Sequence, residues 1–197
     1  PPRAREEIAV SSTAWIAIGA VALIVLFVVF LYNALVAGRN QVEAAWRQID
    51  VQLKRRHDLV PNLVESVKGY MGHERDTLEA VIKARNAAVA AARGGSREGQ
   101  IQAETALGGM LGRLFALAES YPNLKANENV MLLQEELTST ENRIGFARQH
   151  YNDSVMAQNT RVESFPSVLV AGVLGFSKHP YFEAGEEDKA VPQVKLR

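Results

Sequence analysis

Residues 51–74 read VQLKRRHDLVPNLVESVKGYMGHE and gather most of the residue types that could do chemistry in this chain. Three cations, Lys54, Arg55 and Arg56, precede an adjacent His57–Asp58 pair, and His73–Glu74 follows. An adjacent His–Asp pair is the device with which some metal-dependent phosphohydrolases hold divalent ions. That chemistry needs further histidines and aspartates from other helices. Only His57, His73, His150 and His179 exist, and His179 falls in the C-terminal tail without a suitably paired aspartate. HERDT at His73 places Thr77 where a two-histidine zinc helix needs its second ligand.

The other routes to catalysis are equally bare. There is no cysteine, which removes thiol nucleophiles and zinc–thiolate sites. No GxSxG elbow, phosphate-binding GxxxxGK[ST] loop or GxGxxG turn occurs. No catalytic residue, metal ion or cofactor is therefore expected, and metal-dependent hydrolysis through His57 and Asp58 is kept as the least favoured reading. The simpler account makes the stretch a corner between two helices. Arg55, Arg56 and His57 then close one helix at the negative end of its dipole, and Asp58 caps the next, with Pro61 in its first turn. Glu43–Arg47 and Asp50–Lys54 are i,i+4 pairs on the first of those helices. Glu141, Arg148 and Asn152, with Asp50, are read as polar contacts that fix the register of a bundle.

The elements that position these residues are helical throughout. Alanine-rich and Glu/Gln/Arg-rich segments favour helix, and 197 residues suit one domain with a short appendage. Lys and Arg together number 22, as do Asp and Glu, so net charge offers nothing to nucleic acid. Between Ala14 and Gly38 the chain reads AWIAIGAVALIVLFVVFLYNALVAG, without a charge and apolar on every face. As a helix it would rise about 37 Å, against a hydrocarbon core of about 30 Å. Trp15 and Tyr32 stand near its ends, where interfacial aromatics belong. A membrane span over 14–38, in contact with lipid, is the reading. Arg3 and Arg5 precede it, while Arg39, Arg47, Lys54, Arg55 and Arg56 follow. That bias predicts a single-pass protein of the bacterial inner membrane with its N-terminus outside and its bundle in the cytoplasm.

Beyond the span, apolar residues recur three and four apart. The first helix is expected to run from about Ala14 to His57. A second carries Leu63, Val67, Met71, Leu78 and Val81, with a kink at Gly69 and Gly72, and ends at RGGS. A third runs through Ile101–Leu117 and stops before Pro122. The fourth, from about Ala126 to Val162, has Val130, Leu137, Ile144 and Tyr151 seven apart, a bundle or coiled-coil seam. The fold class is thus all-α: a transmembrane helix continuing into an antiparallel four-helix bundle over 39–164. Segments 1–13 and 165–197 flank the span and the bundle; the stretch before Ala14 and the tail after Tyr181 have flexible compositions, while 165–197 starts with the apolar run FPSVLVAGVLGF. That run is too short to span a bilayer. Packing on protein is favoured over membrane contact, with Phe165, Val168, Leu169, Val173 and Phe176 as contacts to a second copy.

YNALVAGRNQVEAAWRQIDVQLKRRHDLVPNLVESVKGYMGHERDTLEAVIKAR resembles the LemA family, and so does YPNLKANENVMLLQEELTSTENRIGFARQHYNDSVMAQNTRVESFP. The likeness runs from about Tyr32 to YFEAGEEDKAVPQV. It implies one N-terminal membrane helix and a cytoplasmic bundle of long helices, no established enzymatic activity, and for some members a link to membrane proteolysis or membrane organisation. The expected function is a non-enzymatic membrane-anchored scaffold. It would assemble with copies of itself through bundle and tail, around a membrane protease or other membrane protein. A monomeric adaptor for one such partner is the alternative.

Overall fold

A computed structural model describes residues 3–182, with side chains placed from Ser12 onward except at 125. The elements are α1 (Arg3–Lys68), α2 (Arg75–Arg93), α3 (Arg97–Ala118), α4 (Pro122–Lys125), α5 (Glu128–Glu163) and α6 (Ser167–Val173). Among the described residues there is no strand, and the expected all-α class holds. The expected extended tail beyond 182 lies outside the described residues. Helix α1 already begins at Arg3, where composition pointed to a flexible lead-in to Ala14.

The expected break at His57–Asp58 is not there. α1 continues to Lys68 with Pro61 in its interior. An interior proline lacks the N–H that would bond the carbonyl four residues back, which here is that of His57. Arg85 of α2 supplies the missing donor: its Nε donates to the His57 carbonyl at 3.1 Å. A buried carbonyl needs a partner from somewhere, and a long side chain on the next helix provides it. The corner falls instead at 69–74. There Tyr70 and Met71 donate to the Val67 carbonyl, and Glu74 donates to that of Met71. Gly69 and Gly72, expected to kink a helix, terminate one, and Met71 plugs the core below them.

The remaining boundaries follow from caps. α2 ends at Gly94–Gly95, the latter at φ 78°, a left-handed conformation that favours glycine. Ser96 then caps α3 by accepting from the Gly99 amide at 3.2 Å. Asn127 caps α5 through its Oδ1, which accepts from Asn129 N and Val130 N.

The chain forms two compact units, residues 44–153 with 180–182 and residues 3–43 with 154–179, within the described range. The first is the four-helix bundle. Val60, Leu63 and Val67 of α1, Leu78, Val81 and Ala88 of α2, Leu107, Leu111 and Leu114 of α3, and Val130 and Leu137 of α5 share one core. Each large aliphatic side chain so buried contributes about 1.5–3 kcal/mol. The predicted seam residues Ile144 and Tyr151 are also fully buried.

In the other unit α1 packs against the end of α5 and against α6. Leu35, Val162 and Ala171 form its core. Gly38 leaves room there for Gln158 and Arg161, since a Cβ would overlap the side-chain oxygen of Gln158 and force that side chain to move. Gln158 Nε2 in turn donates to the Leu35 carbonyl at 3.2 Å. Residues 12–30 of α1 are exposed throughout, apolar as they are. The helix is long and apolar enough to cross a membrane, with a mean hydropathy of 3.0 over its most apolar window.

Candidate functional site: a buried charge cluster in the bundle

Helix α3 buries Gln100, Glu104, Leu107, Leu111, Leu114 and Ala118, one stripe at spacings of four and three. Glu104 is thus a carboxylate in a position where the pattern calls for leucine, and it is fully buried. It survives there because α1 presents two partners at adjacent positions. Arg56 Nη2 pairs with Glu104 Oε2, and Nη2 also donates to the Glu104 carbonyl at 3.2 Å. His57 Nε2 lies 2.7 Å from Oε1. An ionised carboxylate can only accept, so His57 carries its hydrogen on Nε2 in this pair. Arg56 reaches on to Glu141 of α5, its Nη1 donating to Oε2 at 2.6 Å. Three helices are tied by one guanidinium that is 1 % exposed.

Burial pushes the Glu104 carboxyl up. The hydrogen bond from His57, with the charge and hydrogen bond of Arg56, outweighs it, and the net result is a carboxyl held below the ordinary 4.5. Glu104 stays ionised with both oxygens engaged. A carboxylate so tied is a poor proton acceptor and has no free oxygen to offer a metal.

The geometry also separates the His57–Asp58 pair. His57 turns inward to Glu104 while Asp58 is exposed. His73 and His150 are exposed, and His179 belongs to the other unit. Among the described residues no three metal-ligating side chains gather. Beside the cluster a groove of ≈ 570 Å³ runs between α3 and α5, lined by Gly108, Gly109 and Gly112 with Arg56, Glu141 and Arg148.

The four expected register contacts fall in three places. Glu141 joins the Arg56 cluster. Asp50 accepts from Gln100 Nε2 at 2.9 Å, joining α1 to α3 one turn before Glu104. Arg148 and Asn152 instead hold the segment that returns after α6. Arg148 lies 4.3 Å over the Phe182 ring, and Asn152 exchanges two hydrogen bonds with the Phe182 backbone, at 3.0 and 2.8 Å. Phe182 is buried beside Trp46, and Tyr151 donates to the Pro180 carbonyl at 2.9 Å. Sequence reasoning placed Arg56 at a helix end and passed over Glu104. Counting back from Leu111 and Leu107 along the α3 stripe would have found the latter.

The expected contacts of the C-terminal run lie in the other unit. Phe165, Val168, Leu169 and Val173 are exposed. Phe176 packs edge-on against Tyr32, with ring centres 6.0 Å apart, and lies under Arg39.

The model of the LemA family matches residues 45–196. Magnetosome protein MamQ of Magnetospirillum gryphiswaldense is 25 % identical over 189 residues, covering 83 % of this chain and 70 % of its own. Protein LemA of Metamycoplasma hominis is 24 % identical over 161 residues, covering 80 % and 71 %.

Proposed function

Since the chain belongs to the LemA family, we propose that it is a non-enzymatic scaffold, anchored in a membrane by α1 and self-associating through its bundle. The observation that carries this reading is an exposed apolar helix over residues 14–30 together with a bundle whose buried Arg56 and Glu104 are ion-paired. The first needs lipid to cover it. The second leaves the most buried ionisable groups with structural work, because Glu104 is ionised and doubly bound. Self-association is supported by large apolar side chains that the bundle turns outward. Val51 and Phe146 line one shallow groove and are 64 % and 74 % exposed. The excess of Lys and Arg after the span supports an inner membrane placement with the bundle in the cytoplasm. A membrane protease or another membrane protein is the class of partner such a bundle would organise.

Mass measurement of the purified chain in mild detergent tests the assembly. The expected result is a defined homo-oligomer that Phe146→Glu dissociates without loss of helical content. A parent protein that is monomeric in mild detergent would leave the adaptor reading in its place.

A further inference from the structure

The unit that holds the end of the span also holds α6, and the two are in direct contact. Ala171 of α6 is fully buried against Leu35, and Phe176 just beyond α6 meets Tyr32. Tyr32 and Leu35 are among the first residues past the exposed apolar stretch 12–30. The uncharged apolar run opens at Ala14, and a hydrocarbon core of about 30 Å takes about 20 residues of helix, so counted from Ala14 its far edge falls close to Tyr32 and Leu35. α6 is therefore held at the depth where the hydrocarbon gives way to headgroups.

Its composition suits that depth. From Ser164 to Ser177 there is no charged residue. The flanking charges, Glu163 and Lys178, close the segment with an ion pair at 2.6 Å. Arg39 sits over the Phe176 ring at 5.5 Å, a cation at headgroup level. One side of α6 is spent on Leu35. The other side and the approach to it carry Phe165, Leu169 and Val173, which are 80 %, 65 % and 86 % exposed. Backbone groups leave little to satisfy: Val168 N bonds Ser164 O, Leu169 N bonds Pro166 O, Leu174 N bonds Val170 O and Phe176 N bonds Ala171 O. A short segment with closed backbone hydrogen bonds and an outward apolar face can enter a lipid interface at little cost.

We infer that the segment 165–176 is a second membrane contact, with Phe165, Leu169 and Val173 inserted into the acyl-chain boundary of the bilayer that α1 crosses. The occupant of this face is lipid, and the surface continues the lipid-facing surface of the span. It rests on the membrane-anchored reading above. The contact to a second copy that the sequence led us to expect at these residues would leave the same side chains covered by protein.

The absence of cysteine makes the distinction direct. Single substitutions Leu169→Cys and Val173→Cys, each carrying a nitroxide, are placed in the full chain in phosphatidylcholine–phosphatidylglycerol vesicles. Leu26→Cys, inside the span, and Arg113→Cys, at an exposed position of α3, serve as references. Collision of each label with oxygen, which favours lipid, is compared with collision with a water-soluble nickel chelate. The expected result is an oxygen-favoured label at 169 and 173, shallower than at 26, and a nickel-favoured label at 113. Labels at 169 and 173 that follow 113 would place α6 in water and overturn the inference. Labels shielded from both reagents, or broadened by spin–spin coupling, would show a protein-covered face and overturn it equally, leaving the anchor intact. A nickel-favoured label at 26 would remove the anchor itself and the inference with it.

Discussion

Replacing Arg85 by methionine should weaken the bundle far more than a half-buried position on α2 would ordinarily allow. The reason is Pro61. The His57 carbonyl has no amide at position 61 to receive from, and Arg85 Nε is its donor at 3.1 Å. Hydrogen bonds from charged donors contribute about 1.5–3 kcal/mol, and an orphaned buried acceptor costs about 1–3 kcal/mol. His57 is only 6 % exposed, so water cannot readily replace the guanidinium. A loss of about 2 kcal/mol is the expected effect of Arg85→Met, or on the order of 10 °C in the melting of a bundle this size. Pro61→Ala returns an amide to the helix and with it the ordinary bond to His57. In that background Arg85→Met should cost less than about 1 kcal/mol, giving a coupling of about 1 kcal/mol or more in a double-mutant cycle. The measurement is denaturant unfolding of the full chain in mild detergent, followed by far-ultraviolet circular dichroism. The second contact of Arg85, to Asn86, lies on its own helix and cancels between the two arms. Equal costs in the two backgrounds would refute the idea that Arg85 stands in for the missing amide.

Glu104→Gln should destabilise by about 3–5 kcal/mol, because it leaves Arg56 buried with only a half-exposed carboxylate. The same substitution should flatten the acid limb of stability. A carboxyl titrating lower in the folded than in the unfolded chain contributes fully above its unfolded value, and that contribution is lost as pH falls through the folded one; an unchanged acid limb contradicts the ion-pair account. Ile144→Asp should unfold the bundle, whereas His73→Ala, at an exposed site, should shift stability by under about 0.5 kcal/mol. Loss of assembly in a folded His73→Ala protein would show that the corner does more than turn the chain. Gly38→Val should break the Gln158–Leu35 hydrogen bond and cost about 1–3 kcal/mol, seen as faster hydrogen exchange around 158–162; Gly19→Val, with open space around it, should not. Protease added outside intact cells should spare everything after Gly38, and cleavage there would reverse the assigned orientation.

The legible parts of the fold were those in which one periodicity acts alone. Val130, Leu137, Ile144 and Tyr151 state their seam by spacing, and each is buried. RGGS states its turn through Gly95 and its cap through Ser96. The corner was misplaced because Pro61 and Asp58 are helix-start residues by every local rule. What overrides them is a guanidinium on another helix, in a bond that no local window contains. Glu104 was missed for a related reason. A charged residue on an apolar stripe looks like a break in the stripe until the partners arrive, and Arg56 and His57 stand nearly fifty residues away.

The C-terminal run marks where composition stops deciding. FPSVLVAGVLGF is equally suited to a protein face and to a lipid face, since both ask only for apolar side chains and a closed backbone. Depth separates the two, and depth belongs to the contact of Ala171 with Leu35, not to the run itself. Were α6 packed against the bundle core, its exposed valine and leucine would call for a protein cover. Against Leu35 and Tyr32 it stands beside the end of a helix whose preceding residues are bare and apolar on every side. Phe30 of α1 is about 8 Å along the helix from Leu35, the residue that holds Ala171 of α6, two places before Val173. If lipid covers the one, the least new assumption is that lipid covers the other.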